Sequence, residues 1–158
     1  TAVSRRTPDL LLARRGTDPA LVNSVITVSP ICVDVDDGAV TMQAAGAAVE
    51  EAGPPIFRSV FASCATLARD EADVPTAPIQ ALYAGNNNVP TGSSSLQNVF
   101  VNGTNESQVT ASNASSISAF LQNVSYIGAV QNNADQWFIG WTCGLGFTTP
   151  ACTASPTA

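Results

Sequence analysis

The sequence predicts a mainly β fold, in which short parallel solenoid rungs are followed by a mixed α/β cap. Three observations support this. The first is that β-branched runs over 20–28, 31–35 and 56–64 are broken by Ser29-Pro30, Asp36-Asp37-Gly38 and Gly53-Pro54-Pro55. Such runs recur at roughly the 20–30-residue spacing of a solenoid rung, and each is too short to bury its own face. The second is a polar, turn-rich stretch over 86–95, with Asn86-Asn87-Asn88 and Thr91-Gly92-Ser93-Ser94-Ser95, read as a spacer. The third is that both tryptophans fall late in the chain, beyond a short apolar stripe at helical spacing. The expected organisation is therefore rungs over 1–85, a spacer over 86–95 and a C-terminal cap over 96–158.

Taken in order, residues 1–16 carry Arg5-Arg6 and Arg14-Arg15 around Leu10, Leu11 and Leu12, a strand with basic flanks. Residues 39–43 continue the series of short runs. The Ala-rich stretch 44–51 is consistent with one or two helical turns, which Gly53-Pro54-Pro55 must end. Residues 65–73 are the most charged and read as a short helix or solvated loop. Residues 96–102 read as another strand. In the cap, Ile117, Phe120, Leu121 and Val124 lie at i, i+3, i+4 and i+7, which predicts a helix over 115–124. Aromatic and β-branched runs on either side of the polar stretch 131–135 predict an antiparallel hairpin over 125–142.

Composition limits the function more than any motif does. Of 158 residues, 45% are hydrophobic and only 11% charged, with net charge −6. An acidic chain with scattered arginines has no electrostatic footprint for nucleic acid or anionic lipid. All six cations are Arg and there is no His. Serine- or cysteine-histidine catalysis, histidine metal ligation and lysine Schiff bases are thereby excluded. No run approaches the roughly 20 apolar residues of a membrane-spanning helix. The chain starts at Thr1 without Met, as a processed or excised product would.

The four cysteines, Cys32, Cys64, Cys143 and Cys152, include no C-x-x-C pair. An even number suggests two disulfides and an oxidising compartment, hence an exported, extracellular or cell-surface protein. Of the three pairings, Cys32–Cys64 and Cys143–Cys152 are favoured, the latter closing a short loop after the hairpin.

Residues 18–26 and 51–60 resemble the closing rungs of right-handed parallel β-helix proteins secreted by proteobacteria. Residues 126–130 with 137–142 are similar to a C-terminal module that follows such rungs. The resemblance implies a bacterial surface location and a solenoid architecture. It implies no chemistry, because these surface proteins have no assigned activity.

Asp34, Asp36 and Asp37 ahead of Gly38 form a candidate calcium turn, since hard cations take several oxygen ligands. An EF-hand loop counted from Asp34 would need Glu where Ala45 stands, so a capped acidic turn is the simpler reading. Asp36-Asp37 also resembles the paired carboxylates of glycoside-cleaving β-helix enzymes. Those enzymes place His, Lys or Arg beside the pair, and the first two are missing here, so a non-catalytic protein is expected. Asn-x-Ser/Thr triplets at Asn102, Asn105, Asn113 and Asn123 are candidate glycan acceptors. In a chain so rich in Asn, Ser and Thr, hydrogen-bond ladders along stacked strands are the favoured alternative. Trp137 and Trp141, four apart in a strand, share a face. Exposed, they and Tyr126 would make a sugar platform or an interface. Buried, the favoured case, they would pack on Phe120 and Leu121.

The expected function is an extracellular structural subunit that self-associates into a fibre or surface layer, with no cofactor beyond the candidate calcium. The alternative is a carbohydrate-binding or adhesive module with a surface polysaccharide as partner.

Overall fold

A computed structural model describes residues 9–46 and 53–139. Five strands are present: β1 (Asp9–Ala13), β2 (Ala20–Thr27), β3 (Ile31–Val35), β4 (Ile56–Ser63) and β5 (Thr66–Ala68). They form two parallel sheets in alternation. Sheet A has the order β1-β3-β5 and sheet B the order β2-β4, so each strand pairs with the strand two further along. In sheet B the register runs from Ala20↔Ile56 to Thr27↔Ser63, and an isolated parallel bridge, Phe61↔Val89, adds a third layer. Few helices interrupt this pattern, and the fold is mainly β with parallel sheets, as expected.

Strand periodicity decides which side chains meet. Neighbours in a strand point to opposite faces, so Ile26, Val60 and Ala62 enter one core while Val25 and Phe61 face the other way. The first core draws Ala13, Cys32, Val33 and Val35 from sheet A, with Leu67 and Ala68, onto Phe57, Val60 and Ala62 of sheet B. Helix α2 (Thr76–Tyr83) adds Ile79 and Tyr83, the latter with its ring centroid 4.4 Å from that of Phe57. A second cluster sits on the opposite face of sheet B, where Phe61 with Val25 and Val89 is covered by Val109, Ala111 and Ile127.

Sheet B is bent at one place in every layer. Asn23 (φ 51°) and Ser59 (φ 53°) lie in the left-handed region at matching positions between flanking register pairs. Asn86 (φ 51°) and Asn87 (φ 58°) continue the line, with the Ser59 N–H donating to the Asn86 carbonyl at 2.8 Å. Asn tolerates this conformation because its short polar side chain bonds locally. Ser59 has less local help, so the structure around it must hold it there.

The Cys32–Cys64 disulfide ties the buried β3 cysteine to the turn between β4 and β5, with Cα atoms 5.6 Å apart. Closing its loop, 32 residues apart in sequence, stabilises the fold by about 2–4 kcal/mol. Cys143 and Cys152 lie outside the described residues.

Several expected elements differ. Residues 39–43 are not extended: α1 (Gly38–Thr41) is a single helical turn wound around buried Thr41, whose hydroxyl donates to the Asp36 carbonyl at 2.8 Å. The stretch 96–102 is a tight antiparallel turn, closed by paired bonds between Gln97 and Val101, with Asn98 and Val99 both left-handed. Residues 86–95 are not a spacer between units, because Asn86, Val89 and Gly92 bond to the β4 backbone. The helix expected over 115–124 is reduced to a 3-10 turn, Ala114–Ser116. Asn113 and Asn123 both bond Ser115 there, an alternative to helical bonding that short polar side chains favour. Among the described residues no antiparallel hairpin follows; instead Val130 bridges Val101 in parallel.

Candidate functional site

Distinctive side chains concentrate in three places, the first two positioned by the two sheets. The first lies at the ends of β3 and β5. Asp34 on β3 is 1% exposed, and Arg69 just after β5 reaches across to it, Nε to Oδ2 at 2.9 Å. The same guanidinium pairs with Asp9 on β1 through Nη2, and with Glu71 at 3.8 Å. Burial first, then the hydrogen bond and charge of Asp9, then Asp36 and Glu71, push the Asp34 carboxyl up from 3.8 to about 6. Asp9 and the other acids hold the Arg69 guanidinium even more firmly protonated.

Oxygens of Asp34, Asp36 and Glu71 lie within 4.8 Å of one another. Carboxylate oxygens in that number suit a hard cation, but Arg69 already supplies the positive charge. Asp37, the third member of the expected calcium turn, is not in this group. It is exposed and left-handed at the start of α1, with its N–H donating to Asp73 Oδ2 at 2.9 Å. Asp9, Arg69 and Glu71 were not legible as members, since they lie on other layers than Asp34, Asp9 on β1 and Arg69 and Glu71 just beyond β5. The available signal was the register Ile31↔Thr66 and Val33↔Ala68, which carries Arg69 to the level of Asp34.

The second place is a polar ladder on the outer face of sheet B. Asn23 grips residue 112 twice, Nδ2 to the Ser112 carbonyl at 3.0 Å and the Ser112 N–H to Oδ1 at 2.8 Å. Ser59 Oγ donates to the Thr110 carbonyl at 2.7 Å, and Asn87 Nδ2 reaches the same carbonyl at 3.3 Å. One strap of backbone, 110–112, is thus bonded by all three layers. Farther along, Glu106 in α3 (Thr104–Ser107) is fully buried and accepts from Ser95 N–H, Ser95 Oγ and Gly103 N–H. Burial alone would raise its pKa, but these bonds outweigh it and hold the carboxyl below its usual range.

The third place holds the aromatics. Trp137 is 60% exposed, its indole N–H donating to the Ala129 carbonyl at 2.9 Å. Its ring meets Phe138 edge-on, and Phe138 in turn meets Phe100. Tyr126 is half-buried and donates to Asp135 Oδ2 at 3.2 Å; burial and that carboxylate push its phenol up. Phe120 is 92% exposed. The expected packing of Trp137 and Tyr126 on Phe120 and Leu121 is therefore absent among the described residues, because the helix that would carry Phe120 inward does not form. Trp141 lies outside the described residues.

The four glycan-acceptor triplets divide. Asn102 is buried with Nδ2 donating to the Ile127 carbonyl at 2.7 Å, a packing that a glycan on this amide would break. Asn105, Asn113 and Asn123 are exposed, and the amides of Asn105 and Asn123 donate to Ser93 and Ser115.

Between the left-handed loop at 85–88 and the segment 105–110 lies a groove of about 480 Å³ lined by Asn87, Asn105 and Gln108 over Phe61, Val89 and Val109. Sequence reading missed it because its two walls lie in stretches taken for a spacer and for part of a separate cap. The chain matches no protein-family model, no curated protein and no solved structure.

Proposed function

We propose that the two sheets are two faces of a short parallel β-solenoid, and that the chain is an extracellular, non-catalytic structural subunit. Copies would stack rung on rung into a fibre or surface layer. One observation carries this reading: strand β1 pairs only with β3, and β2 only with β4, among the described strands. An unpartnered parallel edge presents a row of N–H and C=O groups to any further strand. Along β1 the edge also carries exposed side chains, with Leu10 at 52% and Leu12 at 41%.

Two further observations support it. The Cys32–Cys64 disulfide suits an oxidising compartment. The buried Asp34 carboxyl is tied to Arg69, which Asp9 and Glu71 also engage, so the acids there form an ion-pair cluster that joins strand layers. No described helix is long and apolar enough to cross a membrane.

The test is particle size against concentration, by analytical sedimentation and negative-stain imaging, for the parent chain and Leu10→Lys/Leu12→Lys. Concentration-dependent polymers that the double variant abolishes, with circular dichroism unchanged, support stacking through β1. A parent chain that stays monomeric at every concentration overturns the reading.

A further inference from the structure

The groove at 85–88 and 105–110 lies over the second apolar cluster and beside the strap at 110–112, and it presents polar atoms that neither of them uses. Its floor is apolar: Phe61, with Val89 and Val109. The chain lies directly over that ring, since a Cβ on Gly92 would come within 2.2 Å of it. The walls are amides, and no ionisable side chain lines the groove, although the chain as a whole carries net charge −6.

The amides are also fixed in place. Gly85, Asn86 and Asn87 are three consecutive left-handed residues, φ 78°, 51° and 58°. Glycine and asparagine adopt this conformation readily, and here it sets the direction of the Asn87 side chain. The Asn87 side chain is held by its bond to the Thr110 carbonyl at 3.3 Å, and that of Asn105 by its bond to the Ser93 carbonyl at 2.8 Å. Each bond uses the amide nitrogen, which leaves Oδ1 of Asn87 and Oδ1 of Asn105 as oriented acceptors with no partner among the described residues. Gln108 is exposed, and its amide has no hydrogen bond among the described residues, so it supplies both a donor and an acceptor.

Ligand class follows from this inventory. An anion would meet two fixed carbonyl oxygens and no cation. A cation would lose water to a groove without a carboxylate, which is unfavourable unless the charge is paired. Hydroxyl groups fit, because each donates to a carbonyl oxygen and accepts from an amide. An apolar floor beneath polar walls also suits a ring with C–H faces and equatorial hydroxyls. Volumes of several hundred Å³ with a few convergent polar groups are typical of small-molecule sites.

We propose that this groove binds a neutral, hydroxyl-rich ligand: a short segment of an uncharged polysaccharide. Asn87 and Asn105 accept its hydroxyls, and Gln108 closes the site. The proposal stands apart from the stacking edge, because β1 contributes nothing to the groove.

The experiment uses arrays of immobilised neutral polysaccharides (β-glucan, xylan, mannan and galactan) with polygalacturonate and heparin as charged controls. The parent chain is compared with Gln108→Ala, Gln108→Trp and Trp137→Ala, each first checked by thermal unfolding. Gln108 holds no other part of the fold, so its variants should melt as the parent does. The expected result is binding to at least one neutral polysaccharide, weakened at least tenfold by both Gln108 variants and unaffected by Trp137→Ala. The proposal is overturned by a parent chain that binds no neutral polysaccharide or only the charged controls. It is equally overturned by binding that survives both Gln108 variants, or that is lost with Trp137→Ala instead.

Discussion

The core shared by the two sheets is apolar from Ala13 to Tyr83, whereas the layer over the outer face of sheet B is held largely by side chains bonding to backbone. The first region buries its residues by strand alternation and needs no specific partner atom. The second has only three buried apolar residues at its contact, Phe61, Val109 and Ile127, and relies on Asn23, Ser59 and Asn87 to grip residues 110 and 112. Apolar burial is non-directional and tolerates small shifts. Hydrogen bonds contribute about 0.5–1.5 kcal/mol each and depend on geometry. The two regions should therefore fail differently when damaged.

Phe57→Ala is expected to give the largest effect. The side chain is 1% exposed and stacked on Tyr83. Removing it should cost about 3–5 kcal/mol and unfold both sheets together. Denaturant unfolding followed by circular dichroism and by fluorescence tests this: the two probes should shift in parallel. Separate transitions would show that the core does not unite the sheets.

Asn23→Ala probes the other region. It removes both bonds to residue 112 and leaves Ala in the left-handed region, where its Cβ costs about 1 kcal/mol or more. The expected loss is about 2–3 kcal/mol, felt first in the outer layer. Hydrogen exchange should quicken at 110–112 before it quickens in β3. Uniform quickening everywhere would mean that the layer and the core are one cooperative unit.

This contrast also explains what could be read from the sequence. Runs over 20–28, 31–35 and 56–64 showed their strands because short β-branched runs between breakers are a local signal, and the parallel pairing of β2 with β4 and of β3 with β5 places Cys32 next to Cys64. The outer layer has no such signal. Its anchor is a line of residues, Asn23, Ser59 and Asn87, that meet only once the register of sheet B exists. The stripe at Ile117, Phe120, Leu121 and Val124 was misleading because periodicity alone does not make a helix. Asn113, Ser115 and Asn123 bond one another instead, and Phe120 stays in solvent. Asp34, Asp36 and Asp37 looked like one turn, but β3 turns Asp34 inward to Arg69 while Asp37 faces Asp73.

Asp34 provides a third test, where polar chemistry enters the apolar region. Its carboxyl titrates at about 6 in the fold and at 3.8 when unperturbed. The folded state therefore holds the proton more tightly, so stability falls as pH rises from about 4 to 6 and then levels off. Asp9, Asp36, Glu71 and Arg69 are the charged groups facing it. Asp34→Asn keeps an acceptor for Arg69 Nε and can donate to Asp9 without ionising. The variant should lose this pH dependence and be more stable than the parent chain at pH 7, where Asp34 is ionised. Thermal midpoints measured from pH 4 to 7 check it; a variant that is less stable at pH 7 would show that the charged pair with Arg69 outweighs the burial.

The smallest effect should come from Tyr83→Phe, with the opposite sign to the first two. Tyr83 is 2% exposed, and its hydroxyl has no hydrogen-bond partner among the described residues. Burial accordingly pushes its phenol well above the usual range. A buried hydroxyl without a partner costs about 1–3 kcal/mol, while the ring it carries packs on Phe57 and Ile79 in the same core. Phenylalanine keeps the ring and removes the oxygen, leaving a gap smaller than a methyl group's worth of packing. The expected gain is about 1 kcal/mol, or about 2–4 °C in the unfolding midpoint for a chain of this size. A core that depends on apolar burial alone should accept that change readily. If Tyr83→Phe instead lowers the midpoint, the hydroxyl must be satisfied by a buried water. The two regions would then differ less than their side chains suggest, because hydrogen bonding would help hold both.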